Sequence, residues 1–247
     1  MNILIAICGL GNPGGDDKKK GCLNNLKILR DTAPKNANIF TKIFCYDDLN
    51  VDIFNDIDNC EIIRESGVIG EFIYRHLTPD KISIFDKVVL ILDDINLKDN
   101  CNLSKMIEIQ EKFKFNIISP SASKKSKLGF DFMKHDFNAE PSSVFSVNYL
   151  EFFMYLFDIK NGVQSYQTWH SLINENTKWL WGIDLILNKV FNMKLGLIND
   201  MQFDHLQFGG STTDDSWQEL HDIENKLNCE IVPGKNLKRL AEYKYDN

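Results

Sequence analysis

The chain has 247 residues, a formal net charge of −7, and an ordinary globular composition with 43% hydrophobic and 26% charged residues. This length suffices for one α/β domain with a large core, and the negative charge argues against a nucleic-acid partner. The cysteines form no C-x-x-C pair, which argues against a disulfide-rich secreted scaffold, and no apolar run approaches the roughly 20 residues of a membrane span, so the sequence predicts a cytoplasmic protein.

The first half of the chain alternates between strand-like and helix-like segments. Short apolar runs predict strands at residues 2–8, 37–46, 60–65, 86–94 and 115–120. Apolar residues at helical spacing predict helices at residues 23–32, 66–77 and 102–113. Because strands that alternate with helices build parallel sheets, this order predicts an α/β fold with a doubly wound, mostly parallel sheet and helices on both faces.

The second half is richer in aromatic residues and less regular. It predicts a strand at 142–148, helices at 149–157, 176–191 and 215–227, and a strand-turn-strand unit at 194–206. A basic, tyrosine-rich tail follows the last helix. Since no linker or change in composition separates the halves, the sequence predicts a single domain over residues 1–247.

The first strand leads into a glycine-rich loop, CGLGNPGG, at residues 8–15. Its glycines match G-x-G-x-x-G, the spacing of dinucleotide-binding loops. Such a site needs a helix directly after the glycines and an acidic residue about 20 positions on. We expect the next helix to begin only near Cys22, so the first condition is not met. The candidate acidic residues, Asp47 and Asp48, lie too far beyond the glycines for the second. A dinucleotide-binding oxidoreductase is therefore a weaker functional alternative. The same letters resemble peptidyl-tRNA hydrolases, whose catalytic histidine follows closely, but the first histidine here is His76.

The most clearly defined strand ends in two adjacent carboxylates. The apolar run from Val88 to Leu92 is followed by Asp93, Asp94 and Asn96. Ligands of open α/β sheets bind at the carboxyl ends of the strands, where neighbouring carboxylates repel each other unless a cation neutralises them. Mg²⁺ or Mn²⁺ can do so and can bridge to a diphosphate. A solvated loop in which an aspartate caps the next turn is the alternative.

Two later segments carry further candidates. The stretch WLWGIDLIL contains Trp181 and Asp184, and this aspartate could act as a general base in an aromatic pocket or cap a helix. The stretch QFDHL ends a late strand with His205, and histidine is a common ligand of metals such as Mn²⁺. Taken alone, each segment is also compatible with a structural role.

Taken in chain order, these segments resemble a GT-A-type glycosyltransferase, and in particular an uncharacterised glycosyltransferase-like family of plants and microbes. The matching segments are residues 74–97, 117–122, 149–157, 179–187 and 194–206. The resemblance implies a single GT-A-like domain with a Rossmann-like, mostly parallel mixed sheet. We divide it into a nucleotide-binding half (1–120), an acceptor half (121–213), and a C-terminal helix and tail (214–247).

The resemblance also implies a role for each candidate residue. These roles are metal binding by Asp94, Asn96 and His205, catalysis by Glu151 and by Asp184 as the base, and contact with the nucleotide sugar by Gly9, Asp47, Asp93, Asp94 and Trp181.

The implied activity is transfer of a sugar from a nucleotide-diphosphate sugar to a glycan or other hydroxyl acceptor, with Mn²⁺ or Mg²⁺ as cofactor. One position departs from the family pattern, because Ile95 stands where a third acidic residue is expected after Asp94. This departure keeps open a second hypothesis, a degenerate sugar- or nucleotide-binding protein without catalysis. The sequence leaves the sugar, the stereochemistry and the oligomeric state open.

Overall fold

The computed structural model describes residues 1–128, 130–206, 214–231 and 236–245. The strands are β1 (Asn2–Leu10), β2 (Asn38–Cys45), β3 (Cys60–Arg64), β4 (Lys87–Leu92), β5 (Ile95–Leu97), β6 (Ile117–Ala122), β7 (Ser143–Val147), β8 (Met154–Asp158), β9 (Leu195–His205) and β10 (Arg239–Lys244). The helices are α1 (Gly15–Asp31), α2 (Ile69–His76), α3 (Pro79–Ile82), α4 (Leu103–Phe113), α5 (Ile159–Ser171), α6 (Ile183–Ile186) and α7 (Asp214–Leu227).

All these strands belong to one mixed sheet. Its order is β10-β7-β9-β6-β8-β4-β1-β2-β3, and β5 pairs with β9 beside this path. The strands β3, β2, β1, β4, β6, β9 and β10 run in one direction, whereas β5, β7 and β8 run in the other. The predicted single α/β domain with a mixed, mostly parallel sheet is confirmed.

Helices cover both faces of the sheet because successive strand residues point to opposite sides. On β1, Ile3, Ile5 and Ile7 belong to the apolar core that includes buried side chains of α1 and α4. Leu4 and Ala6, from the same strand, belong to the core that includes α2 and α5. Each face therefore has its own apolar core, as the continuous apolar runs of the central strands predict.

The start of α1 corrects one prediction. The helix begins at Gly15, directly after Gly14 in a left-handed conformation with φ of 84°, and not near Cys22. Its buried face includes Lys18, a charged residue that apolar spacing does not reveal. The glycine loop thus meets one condition for a dinucleotide site, a helix directly after the glycines. The other condition, an acidic residue about 20 positions further on, is still not met.

Two predicted helices of the second half are wrong. Residues 149–157 form a turn followed by β8, which lies antiparallel between β4 and β6. A short apolar run that is buried on both faces has the same pattern in a helix and in a strand. Within residues 176–191, the only α-helix is α6, because positive φ angles at Leu180 and Gly182 interrupt the helical backbone before it.

Other segments of the second half also differ from the prediction. Residues 195–205 form one strand, β9, with an irregular register against β6 in place of a turn. The predicted tail contains β10, an edge strand on β7, and α5 was not predicted. The proposed boundary between residues 213 and 214 adjoins residues 207–213, outside the described part. Every described helix is too short or too polar to cross a membrane.

The loop before α6 is anchored on α2 by a close backbone approach at Gly70. The Gly70 N–H donates to the Lys178 carbonyl oxygen at 2.9 Å. A Cβ atom at this position would lie 2.3 Å from the carbonyl oxygen of Thr177, so any larger residue must push the loop away.

We therefore predict that Gly70→Ala lowers the free energy of unfolding by about 2 kcal/mol, as overpacking does in a tight contact. Urea denaturation provides the measurement. The matched control is Gly162→Ala, where the nearest atom to a new Cβ is Ser165 Oγ at 3.8 Å. Equal destabilisation by the two substitutions would contradict the close approach.

Candidate functional site

A cleft of about 660 Å³ opens at the carboxyl ends of β1, β2 and β4, the edge at which open α/β sheets bind ligands. Residues that precede the antiparallel β8 reach the same edge, and the loop before α6 also lines the cleft. The lining includes Gly9, Lys18, Asp93, Asp94, Glu151, Trp179, Trp181 and Asp184.

A second cavity, of about 680 Å³, lies at the other end of the sheet. The buried Lys87 there pairs with Glu111 at 3.0 Å and with Asp158 at 3.1 Å. This cavity is lined by three lysines and three carboxylates (Lys87, Lys114, Lys160, Asp86, Glu111 and Asp158), so its charges balance, whereas the first cleft holds an excess of carboxyl groups. This excess identifies the first cleft as the candidate site.

Three carboxyl groups of the cleft have a raised pKa. Burial raises the pKa of Asp93 and of Asp184 to about 7. Burial, and next the negative charge of Asp184, raise the pKa of Glu151 to about 8. Such shifts mark groups that exchange protons near neutral pH or that await a cation.

Lys18 supplies a buried positive charge to the cleft. Its Nζ lies 2.9 Å from Asp93 Oδ2, and both side chains are buried. The charge of Lys18 lowers the pKa of Asp93, but burial outweighs it. The sequence analysis missed Lys18; extending the spacing of Leu29, Asn25 and Cys22 back by one turn would have placed it on the inner face of α1.

Asp94 and His205 form a second pair, which β5 and β9 bring together. His205 Nε2 lies 3.1 Å from Asp94 Oδ2, and Nδ1 lies 3.0 Å from the Lys127 carbonyl oxygen. The other carboxylate oxygen, Asp94 Oδ1, is buried and has no hydrogen-bond partner among the described residues. Burial lowers the pKa of His205, but the hydrogen bond and charge of Asp94 outweigh this effect and raise it.

This pair fits a divalent cation that shares its coordination with a ligand. The described residues contain no group of three or more His, Cys, Asp or Glu that could hold a metal ion. Mg²⁺, however, is commonly held by one or two carboxylates together with substrate phosphates. When His205 is neutral and its Nδ1–H donates to the Lys127 carbonyl, the Nε2 lone pair would be available to a metal, and Asp94 Oδ1 would be the second donor.

Besides His205, which contacts the cleft residue Asp94, two other predicted site residues lie outside the lining of the cleft. The Oδ1 atom of Asn96 accepts a hydrogen bond from Asn24 Nδ2 at 3.3 Å. The carboxylate of Asp47 accepts from the backbone N–H groups of Asn12 at 2.7 Å and Leu49 at 2.9 Å. Neither lines the cleft; Asp47 instead fixes the glycine loop. Gly9 does line it, with φ of 89° and no atom within 4 Å of an added Cβ.

Asp184 lies in the first turn of α6 and lines the cleft. The Tyr149 hydroxyl donates a hydrogen bond to its carboxylate. The preceding Gly182 has φ of 85°, and a Cβ there would lie 2.4 Å from Leu220 Cδ1. The glycine of the W-G-x-D element is therefore required both by its backbone conformation and by the packing of α7.

Glu219, on α7, holds the loop that carries the tryptophans. Its carboxylate accepts the backbone N–H groups of Lys178 at 2.5 Å, Trp179 at 2.9 Å and Trp181 at 3.2 Å. No sequence pattern indicates this contact, because about 40 residues separate the donors from the acceptor.

Comparison with solved structures finds proteins of similar fold. The chain matches TarS 1–349 from S. aureus in complex with UDP-GlcNAc (TM-score 0.57, 8% identity, 94% of this chain and 67% of that chain). It also matches GalNAc-T7 with UDP, GalNAc and Mn²⁺ (TM-score 0.62, 8% identity, 91% of this chain and 47% of that chain). The chain thus spans about half of the latter.

These neighbours are GT-A-type glycosyltransferases, and this chain has their fold. No family model and no curated protein matches the sequence. The expected GT-A fold is confirmed, whereas the resemblance to the particular plant and microbial family stays a prediction.

The Lys18–Asp93 pair predicts a pH-dependent stability. At pH 8 both groups are charged. Lys18→Met therefore leaves Asp93 as an unpaired buried carboxylate, or forces it to take up a proton at a pH above its pKa. We expect a loss of about 2 kcal/mol at pH 8 and a much smaller loss at pH 5, below the pKa of Asp93.

Chemical denaturation at both pH values measures this difference. Lys19→Met is the matched control, because Lys19 pairs at 2.8 Å with the exposed Asp16 and lies one position further along α1. A loss for Lys18→Met that is equal at pH 5 and pH 8 would contradict the ion pair.

Proposed function

We propose that this protein is a metal-dependent glycosyltransferase that moves a sugar from a nucleotide-diphosphate sugar to a hydroxyl acceptor. One observation carries the proposal: the carboxyl groups of Asp94, Glu151 and Asp184 line one cleft of a GT-A fold, and His205 contacts Asp94 from beside it. The pair can hold a cation, and the two carboxyls can hold or accept a proton near neutral pH.

On the donor side, Asp94 and His205 would hold the divalent cation. When bound, a divalent cation of this type neutralises the charge that develops on a leaving diphosphate. Lys18 pairs with Asp93, so its positive charge offsets this carboxylate next to the proposed cation site at Asp94. Because the neighbours were solved with UDP or UDP-GlcNAc, UDP is the first nucleotide to test.

On the acceptor side, Asp184 would be the general base. In an inverting transfer, the acceptor oxygen bonds to the anomeric carbon while the bond to the diphosphate oxygen breaks. The electron pair leaves with the diphosphate, and the hydroxyl proton passes to Asp184. A pKa of about 7 suits a base at neutral pH. Glu151, with a pKa of about 8, stays largely protonated and can donate a hydrogen bond to substrate.

Asp94→Asn tests the donor site directly. We expect UDP with Mn²⁺ to raise the melting temperature of the native protein and to bind about 100-fold more weakly to the variant, since even indirect metal contacts contribute 10–100-fold. Thermal shift with and without Mn²⁺ gives the measurement.

Asp99→Asn, an exposed position on the same segment, is the control and should respond as the native protein does. An unchanged response of Asp94→Asn would exclude the site assignment. Release of UDP from UDP-sugars in the presence of acceptors then separates an enzyme from a binding protein, because UDP binding without turnover of any donor favours the latter.

Asp184→Asn should abolish transfer and yet stabilise the fold at high pH. A carboxyl whose pKa is raised binds its proton more tightly in the folded state. Its contribution to stability is therefore lost as pH rises from about 4 towards 7. At pH 8 the variant should be more stable by about 2 kcal/mol, with a smaller gain at pH 5.

Denaturation at the two pH values and a transfer assay provide the readouts, with Asp99→Asn as the surface control. Retained transfer would rule out the base, and a stability gain independent of pH would rule out the raised pKa.

A further inference from the structure

Three tryptophans form a partly exposed surface at the mouth of the cleft, which we call the aromatic wall (Trp179, Trp181 and Trp217). The side chains of Trp179 and Trp217 are 48% and 44% exposed. Trp181 lines the cleft, and its ring packs edge-on against Trp217 with centroids 6.2 Å apart at 75°. Large rings are normally buried because their apolar area is costly to hydrate, so adjacent exposed indoles indicate a surface that a ligand covers.

The aromatic wall is held in place by its own framework. The Glu219 carboxylate binds the backbone N–H groups of Trp179 and Trp181, and Gly182 fits directly against Leu220. The indoles are thus presented by a fixed loop. A fixed surface loses little conformational entropy when a ligand binds, which favours affinity.

Unpartnered polar atoms lie beside the aromatic wall. Trp181 Nε1 and Glu151 Oε2 are buried without a hydrogen-bond partner among the described residues, and both side chains line the cleft. Native proteins rarely leave buried polar groups unsatisfied. These atoms therefore point to a ligand that brings its own hydroxyl groups to the inner edge of the wall.

We propose that the acceptor is a carbohydrate, with one sugar ring stacked on the aromatic wall and its hydroxyls bonded to Trp181 Nε1 and Glu151. This inference rests on the proposed transferase function. A pyranose ring has an apolar face of C–H groups and a rim of hydroxyls, so it covers indole area and satisfies polar atoms at once. Its reacting hydroxyl then faces Asp184, which lines the same cleft.

Other acceptor classes match the wall less well. An alkyl chain would cover the indoles but leave Trp181 Nε1 and Glu151 Oε2 unsatisfied. An extended peptide needs backbone donors along its path, and Glu219 already accepts the N–H groups of Lys178, Trp179 and Trp181. A carbohydrate uses both the apolar and the polar features.

The test begins with a glycan array probed with the full chain in the presence of UDP and Mn²⁺, and calorimetric titration of the bound glycans follows. We expect at least one glycan to bind, and Trp179→Ala and Trp217→Ala each to weaken it at least tenfold. Trp179→Phe should retain most of the affinity, because a flat ring remains. Phe137→Ala is the control, since that ring is 70% exposed outside the cleft.

Absence of any bound glycan, or glycan affinity that neither tryptophan variant changes, overturns the carbohydrate acceptor. Thermal shift with UDP and Mn²⁺, run on the same protein samples, keeps the two proposals apart. A normal UDP response without glycan binding refutes only the acceptor class. Loss of the UDP response in the native protein refutes the transferase, even where glycans bind.

Discussion

The structure depends on one electrostatic constraint: several carboxyl groups are buried together at one edge of a sheet. Asp93 and Asp94 follow β4, Glu151 precedes the antiparallel β8, and Asp184 lies in the first turn of α6. Burial raises the pKa of Asp93, Glu151 and Asp184, and the charge of a neighbouring carboxylate adds to this effect for Asp93 and Glu151. Only protons or cations can relieve such a site, and the surrounding fold provides positions for both.

Two elements relieve part of the charge. The helix α1 begins directly after the glycine loop, which brings Lys18 to Asp93, while Asp47 anchors the loop through Asn12. The long strand β9 carries His205 to Asp94. The loop CGLGNPGG therefore acts as the support of a buried lysine, and its resemblance to a dinucleotide fingerprint reflects the tight strand-to-helix turn that both require.

Much of the architecture of the first half of the chain could be predicted from the sequence. The apolar run before Asp93 defines β4 without ambiguity. Because Asp93 and Asp94 follow the carboxyl end of this strand, the fold rule for open α/β sheets places both aspartates in the cleft. Helices with apolar spacing, such as α4, were also predictable. Lys18 escaped because its helix begins in a run of charged residues, where hydrophobic periodicity carries no signal.

The second half of the chain was less predictable for a different reason. The apolar run that contains β8 reads equally well as a helix, and only its pairing between β4 and β6 decides the matter. Contacts between distant segments, such as Glu219 with the tryptophan loop, depend on tertiary structure alone. Asn96 was chosen from its proximity to Asp94 in the chain, yet its amide meets Asn24 on α1.

At 8% identity, the solved neighbours establish the fold, and the chemistry must be tested at the Asp94–His205 pair. Electron paramagnetic resonance of Mn²⁺ does so most directly, because bound Mn²⁺ loses the sharp six-line spectrum of the free ion. The account predicts that UDP creates a single tight Mn²⁺ site on each chain and that His205→Gln removes it. Equal Mn²⁺ binding by the native protein and His205→Gln, or no Mn²⁺ binding with UDP present, would contradict the account.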